Sequence, residues 1–229
     1  MNAAGRAVVH DRDGELTRRQ RKARALSLLQ RRDLEALRVW AGREASALEF
    51  LMQLVSHGDV LVRWRAVEGL GIAAEVRAAH SEEVVRERLR RLLWSMNHES
   101  GNLIWMAPDA AGEILARVPP LAAEFSRLIA SFINLEPFVE GVHRAVARIA
   151  GVDPAPVAYL APYLAFAITR PEAAVRAHGA LALGRIDPSR LDSIREALSQ
   201  DDAPLEIYDR LSGELVQTTV ERLVVAEHV

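Results

Sequence analysis

A ten-residue pattern that occurs twice constrains this chain more than any other feature. Val62-Arg63-Trp64-Arg65-Ala66-Val67-Glu68-Gly69-Leu70-Gly71 and Val175-Arg176-Ala177-His178-Gly179-Ala180-Leu181-Ala182-Leu183-Gly184 both read V-R-x-x-small-x-x-small-L-G. Weaker copies run from Leu103 to Gly112 and from Gly141 to Ala150. Their last positions lie 41 residues apart from Gly71 to Gly112, 38 from Gly112 to Ala150, and 34 from Ala150 to Gly184. A period of roughly 34–47 residues is that of a helix pair, which cannot bury its apolar face alone and stacks on its neighbours. Small residues serve that stacking, because helices approach closely only where side chains are short.

The rest of the chain agrees with helices. Aromatic residues are only 5% against 50% hydrophobic, so the core is aliphatic, and strand-rich folds carry more aromatic and β-branched residues than this. Thr17-Arg18-Arg19-Gln20 and Ser46-Ala47-Leu48-Glu49 fit capping boxes. Ser81-Glu82-Glu83 opens a helix with acids in its first turn and arginines further along, and Thr169-Arg170-Pro171-Glu172 starts another. Turn signals recur at His57-Gly58-Asp59, Asn97 to Gly101, Pro119-Pro120, Asp153-Pro154 and Asp187-Pro188. Near the end, Leu205 to Tyr208 and Glu214 to Gln217 predict a short β-hairpin around Asp209 to Gly213, and Thr218-Thr219-Val220-Glu221 begins a last capping helix. The expected class is all-α, with that one hairpin.

The repeated V-R-x-x-A-x-x-A-L-G resembles the inner-helix motif of HEAT-like repeats, in particular the short kind first associated with phycobilisome lyases. The stretch from Trp94 to Leu115 also resembles a bacterial group of HEAT-repeat proteins without established activity. The resemblance implies an α-α superhelical solenoid of about five helix pairs. Residues 1–14 are then a disordered tail and 15–229 a single repeat domain. Its parts are N-terminal cap helices over 15–43, repeats over 44–200 and a C-terminal cap over 201–229.

At 100° per residue, Ala66, Gly69, Leu70 and Ala73 fall within about 80° of Val62, while Trp64 and Glu68 point about 200° and about 240° away. The same projection sets Trp105 and Asp109, then His143, on successive inner helices. The expected concave groove therefore carries Trp64, Trp105 and His143 with Glu68, Asp109 and Glu113. It would hold a protein or peptide segment with apolar anchors and Arg or Lys. The alternative is that the tryptophans fill gaps between small residues. Arg63, Arg144, Arg148 and Arg176 are read as structural ties between repeats, with Glu113, Glu136 or Glu140 as partners for Arg148.

Other chemistry is poorly supported. The chain has no cysteine and a formal charge of −2, so thiolate metal sites and a global attraction to nucleic acid or anionic lipid are not expected. His98-Glu99 is the single His-Glu pair of the kind that di-iron HEAT-like hydroxylases repeat, too few ligands for a metal centre. No P-loop, His-Glu-x-x-His or G-x-S-x-G motif occurs. An enzyme acting on a base or bilin, like HEAT-like alkylated-base DNA glycosylases or phycobilisome lyases, is the alternative function. Its Trp105–Asp109 pair lies in acidic surroundings that disfavour DNA. Basic residues gather instead from Arg18 to Arg32, without an interleaved aromatic. No catalytic residue, metal or cofactor is assigned. Lacking an apolar leader or a span, the protein is expected to be cytoplasmic.

Overall fold

A computed structural model describes residues 16–97, 101 and 103–226. The expected tail over 1–14, His98-Glu99 and the end of the last helix at His228 lie outside the described residues. Among those described, the chain forms α1 (Arg18–Arg31), α2 (Leu34–Arg43), α3 (Ala47–Leu54), α4 (Val60–Ala78), α5 (Glu82–Trp94), α6 (Ala107–Arg117), α7 (Ala122–Ala130), α8 (Val139–Ala150), α9 (Ala161–Ala167), α10 (Ala173–Ile186) and α11 (Pro188–Leu198). A hairpin of β1 (Pro204–Asp209) and β2 (Glu214–Thr219) follows, and then α12 (Val220–Ala226). The protein is predominantly helical with one two-stranded antiparallel sheet. No helix among the described residues is long and apolar enough to cross a membrane.

Local sequence explains several helix starts. Thr17 and Gln20 form the reciprocal capping box expected of α1. Asp59 accepts from the N–H groups of Leu61 and Val62 at 2.8 and 3.1 Å to open α4, and Asp187 caps α11. Ser46 departs from expectation, because its side chain makes no cap bond. Its own N–H donates instead to Glu44 Oε1 at 2.9 Å.

The four pattern copies fall on α4, α6, α8 and α10, the second only in its latter part, and these helices pack on one another in that order, with α2 against α4. The odd-numbered helices α5, α7 and α9 pack behind this row. Small residues set the spacing of the row. A Cβ added to Gly112 would lie 2.6 Å from Ala145 Cα, and one added to Gly71 would lie 2.6 Å from Glu113 Cγ. Ala66, Ala110, Ala145, Ala180 and Ala182 are buried alongside. Leu29, Leu37, Leu51, Leu70, Leu89 and Leu92 are fully buried between the layers, each contributing about 1.5–3 kcal/mol.

The second copy differs from the first in length. Pro108 stands in the opening turn of α6, which therefore begins only at Ala107. Leu103 to Met106 precede the helix, so a helical projection does not apply to Trp105.

Candidate functional site

Where α4, α6, α8 and α10 line up, one edge of the row carries charge in a regular order. Glu68 on α4 meets Arg32, Asp109 on α6 meets Arg144 on α8, and Glu113 on α6 meets Arg148 on α8. Glu75 accepts from Arg38 on α2 and from Arg117 on α6. Partners in these pairs stand about one repeat apart in sequence; Asp109–Arg144, Glu113–Arg148 and Glu75–Arg117 join neighbouring helices of the row, while Arg32 reaches Glu68 from the end of α1 and Arg38 reaches Glu75 from α2. The Asp109–Arg144 contact is bidentate, at 2.7 and 3.2 Å.

The hairpin folds back over this edge. Tyr208 stacks on Trp64, with ring centroids 5.9 Å apart and planes 3° from parallel, and its hydroxyl donates to Glu68 Oε2 at 2.6 Å. Burial and the neighbouring Glu68 carboxylate push the Tyr208 phenol upward. Arg144 lies 5.3 Å from the Trp64 ring on the other contact of that indole.

The hairpin tip is held through its carbonyls. Arg32 donates to the carbonyls of Arg210 and Leu211. Arg65 donates to the carbonyl of Gly213 at 3.1 Å and to Glu214 Oε1 at 2.7 Å. Arg65 also donates to the carbonyls of Leu29 and Gln30 at the end of α1, acceptors that a helix C-terminus leaves without intrahelical partners. Gly213 has φ +72°, and a Cβ there would run into the Arg32 guanidinium. The turn thus fits between α1 and α4 only with glycine at that position.

From the tip, Arg210 reaches Glu113, which is fully buried and already contacts Arg117 and Arg148. Burial would raise the Glu113 carboxyl, but Arg210, Arg148 and Arg117 outweigh it and hold the group below its ordinary value.

Two hollows flank Trp64. One, of about 420 Å³, lies between the hairpin and the row and is lined by Arg144, Arg148, His178, Leu181, Tyr208 and Arg210, among others. The other, of about 680 Å³, is lined by Arg63, Trp105, Met106, Glu136, Glu140 and Glu172, among others.

The groove residues named from sequence are therefore distributed unevenly. Trp64, Glu68, Asp109 and Glu113 share the edge beneath the hairpin, with the three carboxylates engaged by Arg32, Arg144, Arg148 and Tyr208. Trp105 stands apart at 71% exposure. His143 turns away and is buried, its Nδ1 2.8 Å from the Val139 carbonyl. Burial chiefly, with Arg170 and Arg144 nearby, lowers its pKa. It packs toward Gly179 of α10, and Arg144 takes the edge position instead.

Among the arginines named as ties, Arg144 and Arg148 cross from α8 to α6. Arg176 binds Asp201 in both oxygens, at 2.6 and 3.0 Å. Arg63 donates to the His57 carbonyl in the turn before its own helix, because α4 starts at Val60 and that carbonyl lies within reach.

Sequence reasoning gave Arg65, His178, Tyr208 and Arg210 no functional role, and read Arg32 only as part of the basic stretch from Arg18. Arg65 carried a usable signal, being a charge projected toward the packed side of a helix otherwise built of small residues. His178 holds the same position in its own copy of the pattern, whereas Arg32, Tyr208 and Arg210 carried no such signal, since their partners lie far away in sequence.

Among the described residues, no group of three or more His, Asp and Glu side chains is placed to hold a metal ion. Comparison of the chain with protein-family models, curated proteins and solved structures finds no match.

Proposed function

We propose that this protein is a non-catalytic binding or scaffolding module, a HEAT-like α-α solenoid of about five helix pairs whose concave side is the edge formed by α4, α6, α8 and α10. The repeat pattern and the stacking order of those helices support that architecture. One observation carries the functional reading: the edge already receives a peptide segment, the protein's own hairpin, through an aromatic stack on Trp64 and an arginine on Glu113. The same chemistry continues, open, at the Trp105 end. There an exposed indole stands with Glu136, Glu140 and Glu172 around the larger hollow. Aromatic faces and carboxylates together favour an extended segment with an apolar anchor and Arg or Lys.

Nothing in the geometry favours base excision, since both oxygens of Asp109 are engaged by Arg144. The test is selection from a random peptide display library against the folded protein. Enrichment of segments combining Arg or Lys with an aromatic or aliphatic residue, lost with Trp105→Ala, is the expected result. Enrichment of acidic segments, or selection unchanged by Trp105→Ala, would overturn the reading.

A further inference from the structure

We propose that the hollow between the hairpin and helices α8 and α10 binds a small monocarboxylate with an apolar body, its carboxylate received by Arg148 and Arg210. This site is separate from the Trp105 end and does not depend on what binds there.

The argument begins with unbalanced charge. Asp109 takes Arg144 in both oxygens. Asp209 accepts the turn N–H groups of Leu211 and Ser212, each at 3.0 Å. Glu206 accepts from Gln217 at 2.8 Å on the exposed sheet. Among the described residues this leaves Glu113 as the carboxylate that Arg148 and Arg210 share.

Glu113 also serves Arg117. Its contact with Arg210 is one of charge: Nη1 lies 2.9 Å from Oε2, yet the geometry leaves that buried nitrogen without a hydrogen bond. Two guanidiniums on the wall of a hollow contact one carboxylate between them, with Glu68, itself held by Arg32 and Tyr208, acting on Arg210 at longer range, so the wall can receive one further negative charge. Burial chiefly, with Arg148 and Arg117 nearby, lowers the Arg210 pKa against the opposing pull of Glu113 and Glu68.

The rest of the wall fixes the ligand class. A single carboxylate supplies the one missing charge, whereas a phosphate dianion would exceed it and face Glu113. Leu181, Ile207 and Leu223 supply apolar surface, and about 420 Å³ lies within the range of small-molecule sites. His178 adds an acceptor. Its Nδ1 lies 2.8 Å from the Ala174 carbonyl, and a carbonyl only accepts, so Nδ1 carries the proton. Nε2 of the neutral ring is then left as a lone pair. A hydroxyl on the ligand would meet it.

Calorimetry on the whole protein tests this with 4-hydroxybenzoate, benzoate, neutral 4-hydroxybenzamide and inorganic phosphate as probes. At probe concentrations of about 10 mM, enough to saturate a site with Kd of about 1 mM, 4-hydroxybenzoate is expected to bind. The amide and phosphate should bind at least about tenfold more weakly. Arg148→Met should abolish binding and Arg148→Lys should retain part of it, with circular dichroism confirming the fold of each. Should Arg148→Met fail to fold, His178→Phe provides the second reading by removing the preference for 4-hydroxybenzoate over benzoate. No binding by either carboxylate, equal binding of acid and amide, phosphate binding as tightly, or variants indistinguishable from wild type would each overturn the proposal.

Discussion

Arg210, at the tip of the C-terminal hairpin, places Nη1 2.9 Å from Oε2 of Glu113 on α6, tying the last part of the fold to its middle. Since Arg32 and Arg65 hold the carbonyls of the same turn, the hairpin is tied from the end of α1 to α6. The side chain of Glu113 is fully buried, whereas that of Arg210 is 36% exposed, and this asymmetry sets the cost of removing either one.

Glu113→Gln should destabilise by about 3–5 kcal/mol, because it leaves Arg117, Arg148 and Arg210 around a neutral group. Arg210→Met should cost less, about 1–3 kcal/mol, since Glu113 keeps two guanidiniums and Arg210 can be replaced by apolar volume. Urea titration of the two variants and their double mutant measures the coupling. Equal costs would show that Glu113 is not the centre of this cluster.

Gly112→Ala should cost about 1–3 kcal/mol by overpacking, because the new Cβ would fall 2.6 Å from Ala145 Cα, a backbone atom that cannot rotate away. Gly58→Ala is the control. Nothing lies within 4 Å of a Cβ at Gly58, so its denaturation midpoint should stay within about 0.5 kcal/mol of wild type.

These seams show what the sequence made legible. The pattern from Val62 to Gly71 and its copy from Val175 to Gly184 lie in α4 and α10, and the hairpin and last helix form where turn residues and alternation placed them. Trp64 and Glu68 share one edge because α4 is continuous through both. The projection does not apply to Trp105, because Pro108 starts α6 late, although its indole is exposed beside the hollow it shares with Trp64, and His143 turns into the α8–α10 seam, where Gly179 leaves room for its ring. The return of the hairpin to Arg32, Arg65 and Glu113 was illegible, since contacts across such separations leave no local periodicity.

Acid should destabilise the fold earlier than its carboxylates alone would. His143 and His178 both titrate below the ordinary 6.5, chiefly through burial, His178 at about 3. As pH falls through about 6.5, the unfolded chain takes up protons that the native histidines refuse. Stability is then lost by up to about 1.4 kcal/mol per pH unit per histidine. Glu113, held below its ordinary 4.5, adds a further loss only below that value. Urea midpoints should therefore drop between about pH 7.5 and about pH 5.5, and His178→Phe should lessen the drop. A wild-type midpoint that stays constant over this range would contradict the assignment.

The hairpin is the edge's own occupant, so it should compete with any segment of similar chemistry. Tethered by the short stretch after α11, it is present at an effective concentration of about 1 mM or more. A synthetic peptide of residues 202–220 should therefore not bind the wild-type protein at about 10 μM. Tyr208→Ala combined with Arg210→Ala removes the Trp64 stack, the hydrogen bond to Glu68 and the guanidinium beside Glu113, without changing any residue of α4, α6 or α8. That variant should bind the peptide, and adding Trp64→Ala should remove the binding again. Fluorescence polarisation of a labelled peptide reads all three. If hydrogen exchange shows the variant's hairpin released and the peptide still fails to bind, the edge does not recognise Tyr-x-Arg segments, and the hairpin acts only as a strap across the helices.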